Sequence, residues 1–279
     1  MSNEHTAPTA TVRPPSPAPR RRSAFTQRLV KSEGSGEPPN VLGDLRRAIL
    51  LGDEPPGTII PIDDVARFFG VSHIPVREAL KMLLSEGLVA HVPHVGYSVA
   101  QLTFAEFREL YQVRHALEMA ALRAALPHAN LLDDARARTA FEAQLSALDV
   151  GDDRLYNIHS REFHMALIAP SRMRRLVHMY EGAWNMTEPA RPMARVDDAR
   201  RHDLTCDHER LLAAFVARDA ELLLAESARH YAHLEEAIGA FSADLSIFRD
   251  ENSTHARTPT RTDADISDTD ADIIPVAQA

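Results

Sequence analysis

Glycine divides this 279-residue chain into unlike halves. Six of its eleven glycines fall within residues 43–96, whereas only Gly151, Gly182 and Gly239 lie beyond residue 102. Glycine marks turns and helix ends, so a compact, turn-rich module is expected to precede a long helical one. Overall 44% of residues are apolar, enough for real cores. A lone cysteine, Cys206, excludes a disulfide framework and fits a reducing compartment. No apolar run reaches the ~18 residues of a membrane span, and the first residues lack the apolar segment of a secretory signal. The expectation is a cytoplasmic protein without a membrane partner.

Charge is uneven. The net charge is −9, yet residues 1–38 carry six Lys/Arg against three Asp/Glu. Residues 1–38 and 246–279 read as disordered tails, the first basic and proline-rich, the second acidic, because neither carries enough apolar residues to bury. Arg20, Arg21, Arg22, Arg28 and Lys31 can touch phosphates or simply face solvent.

Within 39–102, Val41, Leu42, Leu45, Ile49 and Leu50 repeat at helical spacing up to Gly52. Ile62, Val65, Phe68 and Phe69 form a second short helix ended by Gly70. Ser72 sits where an N-cap belongs and Pro75 in the first turn of a third helix, whose stripe is Val76, Ala79, Leu80 and Leu83. Leu88–Val92 and Tyr97–Ala100 read as strands around Pro93-His94-Val95-Gly96. This order is that of a winged helix-turn-helix, whose second turn helix enters the major groove. The base-facing positions are Ser72, His73, Ile74, Pro75 and Arg77, with Arg77 placed for bidentate contact and Gly96 at the wing. The same order, at net −2, also suits a small bundle with no nucleic-acid role.

Residues 103–245 read as an all-helical bundle of six or seven helices, opened by a capping box at Thr103 and Glu106. His164 shares a face with Leu167 and Ile168, His208 with Leu211, Leu212 and Phe215, and His230 with Leu223 and Leu234. Imidazoles on apolar faces of separate helices can converge on a transition metal, or can be three separately satisfied core histidines. No carboxylate near them in sequence is an evident general base.

The string Gly70-Val71-Ser72-x-x-Pro75-Val76-Arg77-Glu78-Ala79-Leu80 with Glu86-Gly87-Leu88, inside a match over residues 41–102, resembles the GntR family of bacterial transcription regulators. Residues 104–240 are similar to the FCD ligand-binding domain of its FadR-like branch, on Leu110–Glu118, Phe163-His164, Asp207–Leu212 and Ala228–Tyr231. The resemblance implies a mainly α protein that binds double-stranded operator DNA as a homodimer and responds to a small organic acid, most commonly as a repressor. It also implies a divalent metal of the Zn or Ni type on His164, His208 and His230. Arg114 and Ser160 are the effector-side candidates, Arg114 also being suited to a structural ion pair. The chain departs from the family pattern at His73, usually arginine, at Val95, often basic, and at Ser160, commonly Asp or Asn. Two other readings stay open: a metal-dependent hydrolase on the helical domain, and a regulator whose pocket holds no metal.

Overall fold

A computed structural model describes residues 24–32, 39–244 and 246–251. In the first module, α1 (Ala24–Arg28) and α2 (Val41–Leu50) precede β1 (Ile59–Ile60), α3 (Ile62–Phe69), α4 (His73–Ser85), β2 (Val89–Val92) and β3 (Gly96–Val99). The expected helices and hairpin are present. Strand β1 was not foreseen, because two residues carry no periodicity. It pairs antiparallel with β3, Ile59 opposite Ser98, which gives the sheet order β1-β3-β2. In the wing, Val92 pairs with Gly96, whose φ of 110° suits only glycine. Leu45, Ile49, Val65, Phe69, Val76, Leu80 and Leu83 close the core.

The tails need correction at their inner ends. Phe25 and Leu29 are buried in the first module's core, so the chain is structured well before residue 39. Arg28 donates to the Asp53 carbonyl, and Lys31 Nζ lies 5.3 Å from the Phe68 ring, so neither reaches out as a free tail cation. Ile247 and Phe248 likewise bury against Phe107 and Phe104, ring centroids 5.2 and 5.3 Å from Phe248, and belong to the helical domain. In both places isolated apolar residues inside a polar stretch find a core that composition cannot foresee. The remaining tail positions, with Arg20, Arg21 and Arg22, lie outside the described residues.

The helical domain comprises α5 (Phe104–Ala125), α6 (Leu131–Asp149), α7 (Asp153–Ile168), α8 (Arg174–Thr187), α9 (Asp198–Ala217) and α10 (Ala220–Gly239), with a short 3-10 turn at Glu188–Ala190. Reciprocal capping boxes open α5 (Thr103, Glu106) and α6 (Asn130, Asp133), and aspartates cap α7, α9 and α10. Helices α6 and α7, α9 and α10, and α5 and α8 pack as pairs. No helix among the described residues is long and apolar enough to cross a membrane.

The two modules meet at the turn after α2. Asp53 Oδ1 lies 3.2 Å from Arg154 Nη1 on α7. Arg191, at φ 47°, lays its side chain over Gly52, and Met186 packs over Gly87.

Candidate functional site

Helix α4 buries Val76, Ala79, Leu80 and Leu83 and leaves Ser72, His73, Ile74, Pro75 and Arg77 exposed. All five lie within the N-cap and first turns of one helix, as a groove-reading helix requires. Ser72 occupies the N-cap position, though its side chain makes no capping hydrogen bond. His73 Nε2 stands 3.2 Å from Asp63 on α3, and Ile74 is 72% exposed. Gly96 lies at the start of β3, with open space where a Cβ would stand.

The second site is inside the helical bundle. Helix α5 supplies Arg114 and Glu118, one helical turn apart; α7 supplies Asn157, Ser160 and His164; α9 supplies His208 and α10 His230. The helical period that keeps Leu167, Leu211 and Leu234 in the cores carries these polar groups inward with them. The three imidazoles converge: His164 Nε2 and His208 Nε2 are 3.1 Å apart, and His208 Nε2 and His230 Nε2 are 3.3 Å apart. They are not three separate core histidines.

Each outer ring nitrogen faces an acceptor. His164 Nδ1 donates to Glu118 Oε1 at 2.5 Å, and His208 Nδ1 to Gln144 Oε1 at 2.7 Å. His230 Nδ1 is 3.5 Å from Asp207 Oδ2, close enough for attraction but too long for a good hydrogen bond. A carboxylate only accepts, so His164 Nδ1 carries a proton, and in the neutral ring Nε2 is the atom that presents a lone pair. Burial, and then the neighbouring imidazoles, push His208 well below the ordinary histidine range. Burial also lowers His230, against the pull of Asp207. For Glu118, burial favours protonation, but the charge and hydrogen bond of His164, with His230 and Arg114, outweigh it and hold the carboxyl down. Asp207, raised by burial, is drawn down to about 2 by His230 and His233.

These residues fit a metal. Nitrogens about 2.0–2.1 Å from a tetrahedral Zn²⁺ lie about 3.3 Å apart, the spacing found here, and neutral imidazoles backed by acceptors are ordinary ligands. Two carboxylates stand behind the histidines, Glu118 at His164 and Asp207 at His230, 46 and 23 residues before them in the chain, and each faces an outer ring nitrogen. Sequence reasoning missed Glu118, Gln144 and Glu188. For Glu118 a signal existed, because it lies four residues after Arg114 on the same face.

Arg114 is buried at 7% exposure, and no carboxylate lies within ion-pairing distance among the described residues, so the structural ion pair is not what holds it. Its guanidinium carbon is 3.4 Å from the Trp184 ring centroid and 4.5 Å from that of Tyr111, and its Nε has no hydrogen-bond partner. Arg114, Ser160 and the three histidines line one cavity. Cys206 lies outside it, half-exposed beside His202.

A winged helix joined to a bundle that encloses a charged cavity defines a DNA-binding transcriptional regulator with a sensor domain. Residues 40–99 match the family described as bacterial regulatory proteins, gntR family, and residues 109–233 match the FCD domain. The chain is 35% identical over 128 residues to an HTH-type transcriptional regulator of the TAR-I ttuE-ttuC' intergenic region of Agrobacterium vitis, covering 45% of this chain and 75% of the relative. It is 41% identical over 75 residues to the gluconate operon transcriptional repressor of Bacillus subtilis, covering 27% and 30%. The solved structure of E. coli McbR/YncC superposes with a TM-score of 0.65 at 25% identity, over 72% of this chain and 95% of that one. The chain belongs to the GntR family of transcriptional regulators, in the group that carries an FCD domain.

Proposed function

We propose that this regulator is a cytoplasmic repressor that grips a palindromic operator as a homodimer and releases it when a small organic acid enters the helical domain. Ser72, His73, Ile74, Pro75 and Arg77 face the bases, Arg77 making the bidentate contact, and Gly96 lets the wing approach the backbone. The effector lies in the cavity, its carboxylate toward Arg114, with Ser160 among the polar contacts. His164, His208 and His230 hold a divalent metal of the Zn or Ni type, which when bound supplies a Lewis-acid anchor for an anionic group. The chain's own groups do the rest: Arg114 orients the carboxylate, Trp184 fixes Arg114, and Glu118 and Gln144 keep the imidazoles in the ligating tautomer.

One observation carries the reading: a buried guanidinium without a carboxylate partner opens on the same cavity as three converging imidazoles. A buried guanidinium that no carboxylate contacts keeps a donor for an incoming anion. A thermal-shift screen of small carboxylic acids, with and without added Zn²⁺ or Ni²⁺, tests it. Stabilisation that Arg114→Ala abolishes is expected, since ligand binding raises apparent stability by mass action. No response to any acid overturns it.

Ser160, at the position where the family commonly has Asp or Asn, favours a second reading in which the histidines meet the effector without a metal. An effector response that survives chelation selects that reading. The hydrolase alternative is disfavoured because Glu118, the carboxylate nearest the imidazoles, is engaged by His164 Nδ1 and not free as a base. Turnover lost in His164→Ala is what would favour it.

A further inference from the structure

Glu188 has no part in the reading so far, yet it lines the same cavity as Arg114. It opens the 3-10 turn after α8 and is buried. Its carboxylate accepts from Trp184 Nε1 and from Asn157 Nδ2, and no cation lies within ion-pairing distance among the described residues. Burial pushes its pKa up, while Arg161, Arg114 and the two N–H donors hold the anion against that push.

Trp184 ties the two charges to one frame. Its ring face carries the Arg114 guanidinium, and its ring N–H donates to Glu188. The cavity wall therefore presents a cation and an anion set one indole apart, coupled through space but not in direct ion-pair contact. Buried charges are normally matched, and a carboxylate with only two donors still has lone pairs to offer. A ligand that is only an acid would engage Arg114 and bring no donor to the remaining lone pairs of Glu188.

We infer that Glu188 is a specificity-determining residue of the effector site, and that the effector is a small carboxylate carrying a hydrogen-bond donor, a hydroxyl or an ammonium, that Glu188 accepts. The inference rests on the cavity being the effector site. The buried acceptor selects by its cost when unmatched: an analogue lacking the donor strands a desolvated carboxylate.

The test is isothermal titration of the full chain with plain, 2-hydroxy- and 2-amino-carboxylates of three to six carbons, matched in length. At least one donor-bearing acid is expected to bind about tenfold or more tighter than its plain counterpart, and which arm responds tells hydroxyl from ammonium. Glu188→Gln, which keeps an acceptor for Trp184 but removes the charge, is expected to bring the pair within about threefold without weakening the plain acid. Glu188→Asp keeps the charge and should keep a preference, which guards against reading a folding defect as lost selectivity; melting curves of both variants accompany the titration. Plain acids that bind through Arg114 with no donor preference, or a preference that survives Glu188→Gln, overturn this inference alone. No acid binding at all overturns the effector reading with it.

Discussion

Glu118 on α5 accepts a 2.5 Å hydrogen bond from His164 Nδ1 on α7, although 46 residues separate them. The contact turns the His164 Nε2 lone pair toward His208 and His230. Such outer partners of metal-binding imidazoles typically change affinity by about 10–100-fold. Glu118→Gln is therefore expected to weaken metal binding in that range while leaving the fold intact, and His208→Ala to abolish it. Ser160→Asp should tighten it by supplying a charged oxygen. Elemental analysis with chelator competition reads all three; equal metal content in wild type and His208→Ala would refute the site.

The buried imidazoles also set a pH dependence for the metal-free protein. Burial holds His208 and His230 below the ordinary histidine range, so unfolding lets them take up protons at mildly acidic pH. The unfolded state then binds more protons, and stability falls as pH drops below about 6.5. Asp207 and Glu118, also lowered, add their loss only in the carboxylate range further down. Denaturant melts of chelated protein at pH 7.5 and 5.5 should show the lower stability at 5.5, and the difference should shrink in His208→Asn.

Between the modules, Gly52 adopts φ 63° beneath the Arg191 side chain, where an added Cβ would overlap Arg191 Cγ and Cδ. Gly52→Ala therefore meets two penalties, the left-handed backbone, about 1–2 kcal/mol, and the overlap. Arg191→Ala in the same chain should recover the overlap share only. A double-mutant cycle in thermal unfolding measures this, and additive effects would show that the contact is not made.

For operator binding, Arg77→Ala is expected to cost about 1–3 kcal/mol and relax preference at one base pair. Its side chain is exposed, so the circular dichroism spectrum should not change. A footprint on the protein's own promoter region that Arg77→Ala leaves intact would contradict the assigned groove contact.

Removal of residues 1–22 spares Phe25, whereas removal of 1–30 takes both Phe25 and Leu29 from the first core. The shorter deletion is expected to keep stability and to lower the salt slope of DNA binding if Arg20–Arg22 touch phosphates. Phe25→Ala, by contrast, should cost about 3–5 kcal/mol in the first module. Equal melting of the two deletions would place Phe25 outside the core.

Much of this architecture was legible in advance. Gly52, Gly70 and Gly87 bound the helices of the first module, and the capping box at Thr103 and Glu106 opens α5, because such signals act within a few residues. Strand β1 was not legible, since Ile59 and Ile60 become a strand only through β3. Phe25, Ile247 and Phe248 were assigned to tails because composition averages over neighbours and cannot see a core that a single side chain reaches.

At the sites the division is similar. Periodicity placed His164, His208 and His230 on apolar faces, because a helix fixes which residues share a side, and the order of elements placed Arg77 near the start of the groove-reading helix. Only the tertiary structure decided that three imidazole nitrogens meet within hydrogen-bonding distance, that Glu118 and Gln144 stand behind them, and that Trp184 joins Arg114 to Glu188. Those relations depend on how far each helix slides and turns against its neighbours. Packing of distant segments sets that offset, and the local repeat of residues does not encode it.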